Sequence, residues 1–242
     1  MAFSFLACSP RFYAPNRINI PELKKKNDLK LTAAKGYLDL EIQSAYAITD
    51  HVGAMCNYVN TSFRNSNTNF ESAGGSLLEL GIGYFSCKNY LIFENYLTVG
   101  KGNFFNRAQY LSPIFEDDDG KLDSDFLKFG LQSTVTLQNN LFSLSTGIRF
   151  TDMKYRNVRG NMYYGYENLN KFLSSYSNYL FIEPVIQVGM GYKNVRFNVQ
   201  YQRSYLLNPQ DSYLYTKFNY SAGIQLSFPA IGSKKKQTST IN

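Results

Sequence analysis

The chain has 242 residues, with 20 Tyr, 19 Phe, no Trp, a single His and a formal net charge of +7. No run of eighteen apolar residues occurs, which excludes a membrane-spanning helix, whereas strands can cross a membrane at a mean hydropathy of -0.31 because only alternate residues are apolar. The lysine clusters at 24–26 and 234–236 are not interleaved with aromatic residues, which argues against a nucleic-acid partner.

The first eight residues end in Leu-Ala-Cys, which resembles the lipobox of a bacterial lipoprotein signal peptide. Cys8 is therefore a candidate for lipidation, and an ordinary cleaved signal peptide or a small buried Cys are the alternatives. Residues 1–8 are predicted to be a signal-peptide remnant and 9–26 a periplasmic N-terminal segment. With only Cys56 and Cys87 besides Cys8, neither a disulfide framework, a metal site nor a cofactor is predicted.

From residue 27 to 228, apolar residues recur at every second position, and this period of two predicts two-faced antiparallel strands. In the clearest segment, Val195, Phe197 and Val199 share one face, while Arg196 and Asn198 lie on the other. Ten such segments precede a basic tail at 229–242. They lie at 28–34, 38–49, 52–63, 78–84, 91–99, 127–137, 142–150, 180–190, 194–205 and 217–228.

An even number of strands predicts a closed transmembrane antiparallel β-barrel of about 10 strands, within a range of 8 to 12. The connections alternate between tight and long, as expected for short periplasmic turns and longer extracellular loops. The tight turn at 35–36 is an exception. A soluble sandwich or lipocalin-like barrel is less favoured, because nearly every strand has an extensive apolar face. The long connections are predicted at 64–73, 101–123, 152–177 and 206–212.

The polar faces carry charges of both signs. A ten-strand barrel encloses little more than the side chains that fill it, whereas open aqueous channels belong to barrels of about sixteen strands or more. Charges in so narrow a lumen are expected to pair, because an unpaired buried charge is costly. The sequence therefore predicts a plugged barrel. The candidate members of this charge network are Glu79, Glu94, Lys128, Arg149, Glu183, Arg196 and Lys217.

The connection predicted at 152–177 is rich in aromatic and basic residues, which could either bind a partner or glycan or continue the interfacial aromatic belt. The lone His51 lies in a tight periplasmic turn, away from any outer substrate, so no catalytic residue is predicted. The acidic run at 116–123 lacks the EF-hand spacing and is interpreted as a solvated loop tip. The loop candidates are Tyr155, Arg156, Arg159, Tyr163, Tyr164 and Tyr166.

Two stretches resemble known outer-membrane proteins. Gly223, Leu226 and Phe228 in the last strand resemble the C-terminal β-signal that barrels present to their assembly machinery, although the chain continues past Phe228. The prolines and lysines of 15–31, followed by Ala-Tyr-Ala, Thr-Asp-His and Gly over 45–53, resemble uncharacterised outer-membrane β-barrel proteins of Bacteroidetes. That resemblance implies a fold and a location in the outer membrane, but no activity.

These features together predict a non-enzymatic outer-membrane barrel that is plugged and serves as a structural or interaction module of the cell envelope, with Cys8 as a candidate lipid anchor. The alternative is a narrow channel or transporter for small solutes or ions, and the third hypothesis is a barrel enzyme. The expected partners are outer-membrane lipid and lipopolysaccharide, the barrel-assembly machinery during insertion, and a protein of the envelope.

Overall fold

The strands follow the period-two pattern of the sequence. The computed structural model describes residues 12–64, 72–109, 119–164, 167–175, 178–208 and 213–228. Its elements are β1 (Leu29–Gly36), β2 (Asp39–Ala47), β3 (Val52–Arg64), β4 (Ser72–Lys88), β5 (Leu91–Gln109), β6 (Asp119–Gln138), β7 (Phe142–Gly160), β8 (Tyr163–Tyr164), β9 (Glu167–Asn168), α1 (Leu169–Ser175), β10 (Tyr179–Tyr192), β11 (Val195–Arg203), β12 (Tyr205–Leu206) and β13 (Phe218–Phe228).

Ten of these strands close into a barrel, which confirms the predicted fold. Neighbours in sequence pair along β1 to β7, and then β7 pairs with β10, β10 with β11, β11 with β13 and β13 with β1. Every pairing is antiparallel, and closure leaves no free edge in the wall. The two-residue strand β12 pairs with the extracellular part of β10, and β8 pairs with β9 in a separate two-stranded sheet.

Strands β5, β6 and β7 are much longer than predicted, so most of the predicted loop at 101–123 and the first part of that at 152–177 are strand. Apolar alternation stops near residue 100, where outward positions become polar, for example Lys101 and Asn103. Backbone pairing continues regardless, up to the pair Gln109 and Asp119. Sequence periodicity therefore detects the apolar part of each strand and misses its polar extension.

The two ends of the barrel differ in their connections. The turns at 48–51, 89–90, 139–141 and 193–194 are tight and share one end, which is the periplasmic end by the usual asymmetry of such barrels. The connections beyond β3, β5, β7 and β11 lie at the other, extracellular end, together with the tight turn at 37–38.

The outward face of the wall is apolar and the inward face is largely polar. Leu97 and Ile42, for example, are 63% and 61% exposed, whereas Gln132, Glu79 and Thr134 point inward and are buried. This is the reverse of a soluble barrel, and it suits a wall surrounded by lipid. Within the described part of the chain, no helix has the length and apolar character to cross a membrane.

Residues 12–23 run through the lumen from the extracellular to the periplasmic end. The Phe12 N–H donates to the carbonyl of Leu214 (2.9 Å) in the outer connection. At the other end, Leu23 packs with Met55 and Phe85 near the tight turns. The segment then turns into β1, which starts at the periplasmic end. The periplasmic segment predicted at 9–26 is therefore wrong for residues 12–23, whose polar groups are bonded to the lumen wall; residues 1–11, Cys8 among them, lie outside the described residues.

The interior is layered. A large apolar cluster fills the extracellular half, where Leu169, Phe172 and Leu173 of α1 pack against inward side chains such as Met153 and Tyr179 of the wall. The middle is polar and charged, and a small apolar cluster around Phe85 closes the periplasmic end. This polar middle layer is the candidate functional site.

Candidate functional site in the barrel lumen

Two ion pairs are fully buried in the lumen wall. Lys128 Nζ lies 3.0 Å from Glu79 Oε2, and Arg149 Nε lies 2.7 Å from Glu183 Oε2, with every one of these side chains at most 1% exposed. The pairs join strands β4 to β6 and β7 to β10. Four of the predicted network residues are therefore brought together as two pairs.

Glu183 is the best-bonded group of this layer. Beyond Arg149, it accepts hydrogen bonds from Thr151 Oγ1 (2.8 Å), Ser204 Oγ (2.7 Å) and Tyr13 Oη (2.8 Å). Tyr13 belongs to the lumen segment 12–23, so this carboxylate connects the wall to the segment. A carboxylate with so many donors is well compensated for the loss of water.

Arg17 anchors the middle of the lumen segment. Its Nη1 donates to Ser221 Oγ (3.0 Å), and its Nη2 donates to Gln187 Oε1 and Asn198 Oδ1, both at 2.6 Å. The side chain is 2% exposed, and its own backbone N–H donates to Glu41 Oε1 at 2.6 Å. One guanidinium thus bridges three strands, β10, β11 and β13.

Wall amides and carboxylates replace the missing β-ladder partner of the segment. Gln200 binds Ile18 as a neighbouring strand would, since its Nε2 donates to the Ile18 carbonyl and its Oε1 accepts from the Ile18 N–H, both at 2.9 Å. Gln132 donates to the Asn19 carbonyl (2.7 Å), and Glu94 accepts from the N–H groups of Glu22 and Leu23. Buried backbone groups need such partners.

The periplasmic end of the segment holds a further charged group. Arg196 Nη1 lies 2.6 Å from Glu22 Oε2, and Gln138 donates to the same oxygen. Of the remaining network candidates, Glu94 binds backbone rather than a base, and Lys217 is exposed just before β13 begins. The prediction that Lys217 belongs to the lumen network is wrong, because this residue lies beyond the strand at the rim.

The loop candidates separate into one interior residue and several outer ones. Tyr155 packs in the extracellular end, where its hydroxyl donates to the Phe12 carbonyl (2.9 Å) and bonds to Tyr213, so it does not form a binding surface. Arg156, Arg159 and Tyr163 are exposed on the outer end. For Tyr164 only the backbone is described, and Tyr166 lies outside the described residues.

The β-signal candidates lie on opposite faces of β13. Leu226 and Phe228 point outward, while Gly223 points inward, where an added Cβ would meet Ala34 and Asn198 at about 3 Å. Their role in assembly stays a prediction.

His51 lies in the tight turn, where its ring stacks on Tyr84 and its Nδ1 lies 3.3 Å from a carbonyl oxygen. Within the described ranges, no three His, Cys, Asp or Glu side chains come together as a metal site. The acidic run at 116–123 falls partly outside those ranges.

The sequence prediction missed the lumen segment itself. Arg17 was not a candidate because residues 12–23 lie in no named strand, and a single sequence does not show contacts between residues 170 or 204 positions apart, such as those of Arg17 with Gln187 and Ser221. One signal was present: between Pro15 and Pro21, the order Arg-Ile-Asn-Ile at 17–20 alternates polar and apolar residues as the strands do. Inside a barrel, the backbone of such a stretch needs polar partners on the wall. The inward Gln and Asn side chains are these partners.

Comparisons with known proteins show the fold. No protein-family model matches the chain, and no curated protein does. Among solved structures, the translocator domain of the autotransporter NalP from Neisseria meningitidis superposes with a TM-score of 0.52 at 8% identity, covering 84% of this chain and 87% of that domain. The N-terminal barrel of Pseudomonas aeruginosa OprF covers 85% of this chain and is itself matched in full, at 10% identity with a TM-score of 0.36. The chain therefore has the closed antiparallel barrel fold of outer-membrane proteins.

Proposed function

We propose that this protein is a closed, non-enzymatic outer-membrane barrel that serves as a structural or interaction module of the cell envelope. The observation that carries the proposal is the course of residues 12–23, which fill the lumen along its length. A solute would have to pass the Arg17 side chain and the buried wall pairs that surround the segment. The fold alone would suit a channel equally well, so the content of the lumen is what favours this function.

The segment is bonded too extensively to act as a freely moving gate. Its removal would take from Glu41, Glu94 and Gln200 the backbone groups that they now bind. Each buried polar group left without a partner costs about 1–3 kcal/mol. The closed form is therefore the resting state. We expect a partner to bind at the outer end, where Arg156, Arg159 and Tyr163 are exposed.

Conductance in planar bilayers tests this proposal. The purified full-length protein is expected to give no steady single-channel current. A variant in which residues 16–22 are replaced by alternating Gly and Ser is expected to conduct, because the polar wall would then face water. Heat-modifiable migration on gels would verify that this variant is folded. Steady currents from the unaltered protein would contradict a closed barrel and favour the narrow channel.

A further inference from the structure

A cavity of about 490 Å³ opens at the periplasmic end of the lumen. It lies where the lumen segment leaves the barrel, between the turn at 139–141, the turn at 193–194 and the end of β13. Its volume falls within the range of small-molecule sites. Five basic side chains and a single acid line it. They are Lys24, Lys25, Lys30, Lys193 and Arg196, with Asp28 as the acid.

The acids near the cavity are already engaged. One carboxylate oxygen of Asp28 accepts hydrogen bonds from the backbone N–H groups of Lys24 (3.0 Å) and Lys25 (3.3 Å). Glu22, behind the wall of the cavity, pairs with Arg196 at 2.6 Å. Four lysines therefore face the same space with little compensating charge.

Lys30 is the buried base of this cavity. It points inward from β1 and is only 8% exposed, and its Nζ donates to the neutral hydroxyl of Ser227 at 2.9 Å. Across the described residues, the ion pairs within 4.0 Å involve other bases, so Lys30 has no carboxylate at that distance. Asp28 and Glu22 attract this ammonium from beyond that distance, but both carboxylates are bonded to other groups. A buried cation with no carboxylate in contact is stabilised by an anion supplied from outside the chain.

We propose that this cavity binds a phosphate ester, with Lys30 as the buried anchor and Lys193 and Lys24 closing on the ligand from the rim. Lysine is a common phosphate ligand that acts as a point charge, and the Ser227 hydroxyl lies beside it as a further donor. The exposed rings of Tyr192 and Phe228 line the same mouth, and aromatic side chains of this kind sit at headgroup level in membranes. The headgroup of an anionic phospholipid therefore suits the site, and free phosphate is the other source of the same chemistry.

Isothermal titration calorimetry on the full-length protein in an uncharged detergent tests the site. The two probes are dihexanoyl phosphatidylglycerol, kept below its micelle concentration, and inorganic phosphate. Saturable binding of the lipid at one equivalent, weakened by added salt, is expected, and phosphate is expected to compete with it. Binding of phosphate without the lipid would assign the same site to the free ion. Absence of binding by both probes would overturn the proposal.

Three variants test whether residues of the cavity are responsible for the binding. Lys30→Met keeps the length of the side chain and removes its charge, so affinity should fall by about tenfold or more, as expected for a charge-assisted hydrogen bond. Lys193→Ala, an exposed change in the turn at 193–194, should weaken binding by a smaller factor, and heat-modifiable migration verifies that this variant is folded. Lys88→Ala, at the same end but outside the cavity, is the control. Equal affinities for all three variants and the unaltered protein would show nonspecific attraction to a basic surface and overturn the proposal.

Discussion

At the scale of single residues, the environment of an ion pair decides what it contributes. Arg149 and Glu183 lie in the lumen with no exposure, while Arg107 and Asp123 form a pair of the same length, 2.7 Å, on the extracellular strands with 35% and 47% of their side chains exposed. Breaking a buried pair leaves a charge without water or partner, whereas an exposed pair contributes little because solvent screens it. The two pairs therefore offer a matched comparison within one chain.

Replacement of Arg149 by Met should lower the free energy of unfolding by about 3–5 kcal/mol, because Glu183 loses the base with which it forms its 2.7 Å ion pair. Replacement of Arg107 by Met should cost at most about 1 kcal/mol. Urea unfolding of both variants in the same detergent, monitored by tyrosine fluorescence and by gel migration, measures the difference in their free energies of unfolding. A second change, Glu183→Gln, added to Arg149→Met should recover part of the loss; similar costs for the two single variants would contradict a buried network.

At the scale of elements, the lumen segment behaves as an extra strand whose partners are side chains. The pair formed by Gln200 and Ile18 reproduces the two hydrogen bonds of a β-ladder. Neighbouring residues add partners one by one, for example Gln132 on the Asn19 carbonyl. Beyond the backbone hydrogen bonds of Phe12 and Tyr13 with residues 214 and 216, the segment is therefore held by inward Gln and Glu side chains.

Replacement of Gln200 by Leu should loosen the segment without opening the wall. The Ile18 N–H would lose its acceptor, so its hydrogen exchange should become at least about tenfold faster, in line with a loss of about 1–3 kcal/mol. Exchange in the ladder between β5 and β6 should stay unchanged. The comparable change Gln225→Leu removes only a 3.5 Å contact with the Ile20 carbonyl and serves as the control. Unaltered exchange at Ile18 in the Gln200 variant would contradict this binding mode.

The sequence predicted those elements whose pattern is local. Alternation identified all ten barrel strands, because along the membrane-facing part of the wall outward positions such as Leu97 are apolar and inward positions such as Gln132 are polar. It underestimated β5 to β7, whose outer parts, beginning at Lys101, have polar outward positions and are held by backbone pairing and by inward residues of the apolar cluster such as Phe104 and Phe126. It also missed Arg17, because the contacts of this residue with Gln187 and Asn198 link distant parts of the chain and only the closed barrel brings them together.

At the scale of the whole molecule, the barrel is a filled cylinder with different ends. The extracellular end is closed by α1 and an aromatic cluster in which Tyr213 is buried, and burial raises the pKa of this phenol well above its ordinary value, so it stays neutral. The periplasmic end is basic and open at its cavity. Because residues 12–23 connect these ends through the lumen, Phe12 lies at the extracellular end and Leu23 at the periplasmic end.

Accessibility of an epitope tag inserted directly before Phe12 tests this course of the chain most directly. Antibody should bind the tag on intact cells, whereas the same tag inserted between Lys193 and Asn194, in a periplasmic turn, should become accessible only after the outer membrane is permeabilised. Both tagged proteins must keep heat-modifiable migration. A tag before Phe12 that is reached only after permeabilisation would place the segment in the periplasm and contradict the filled lumen.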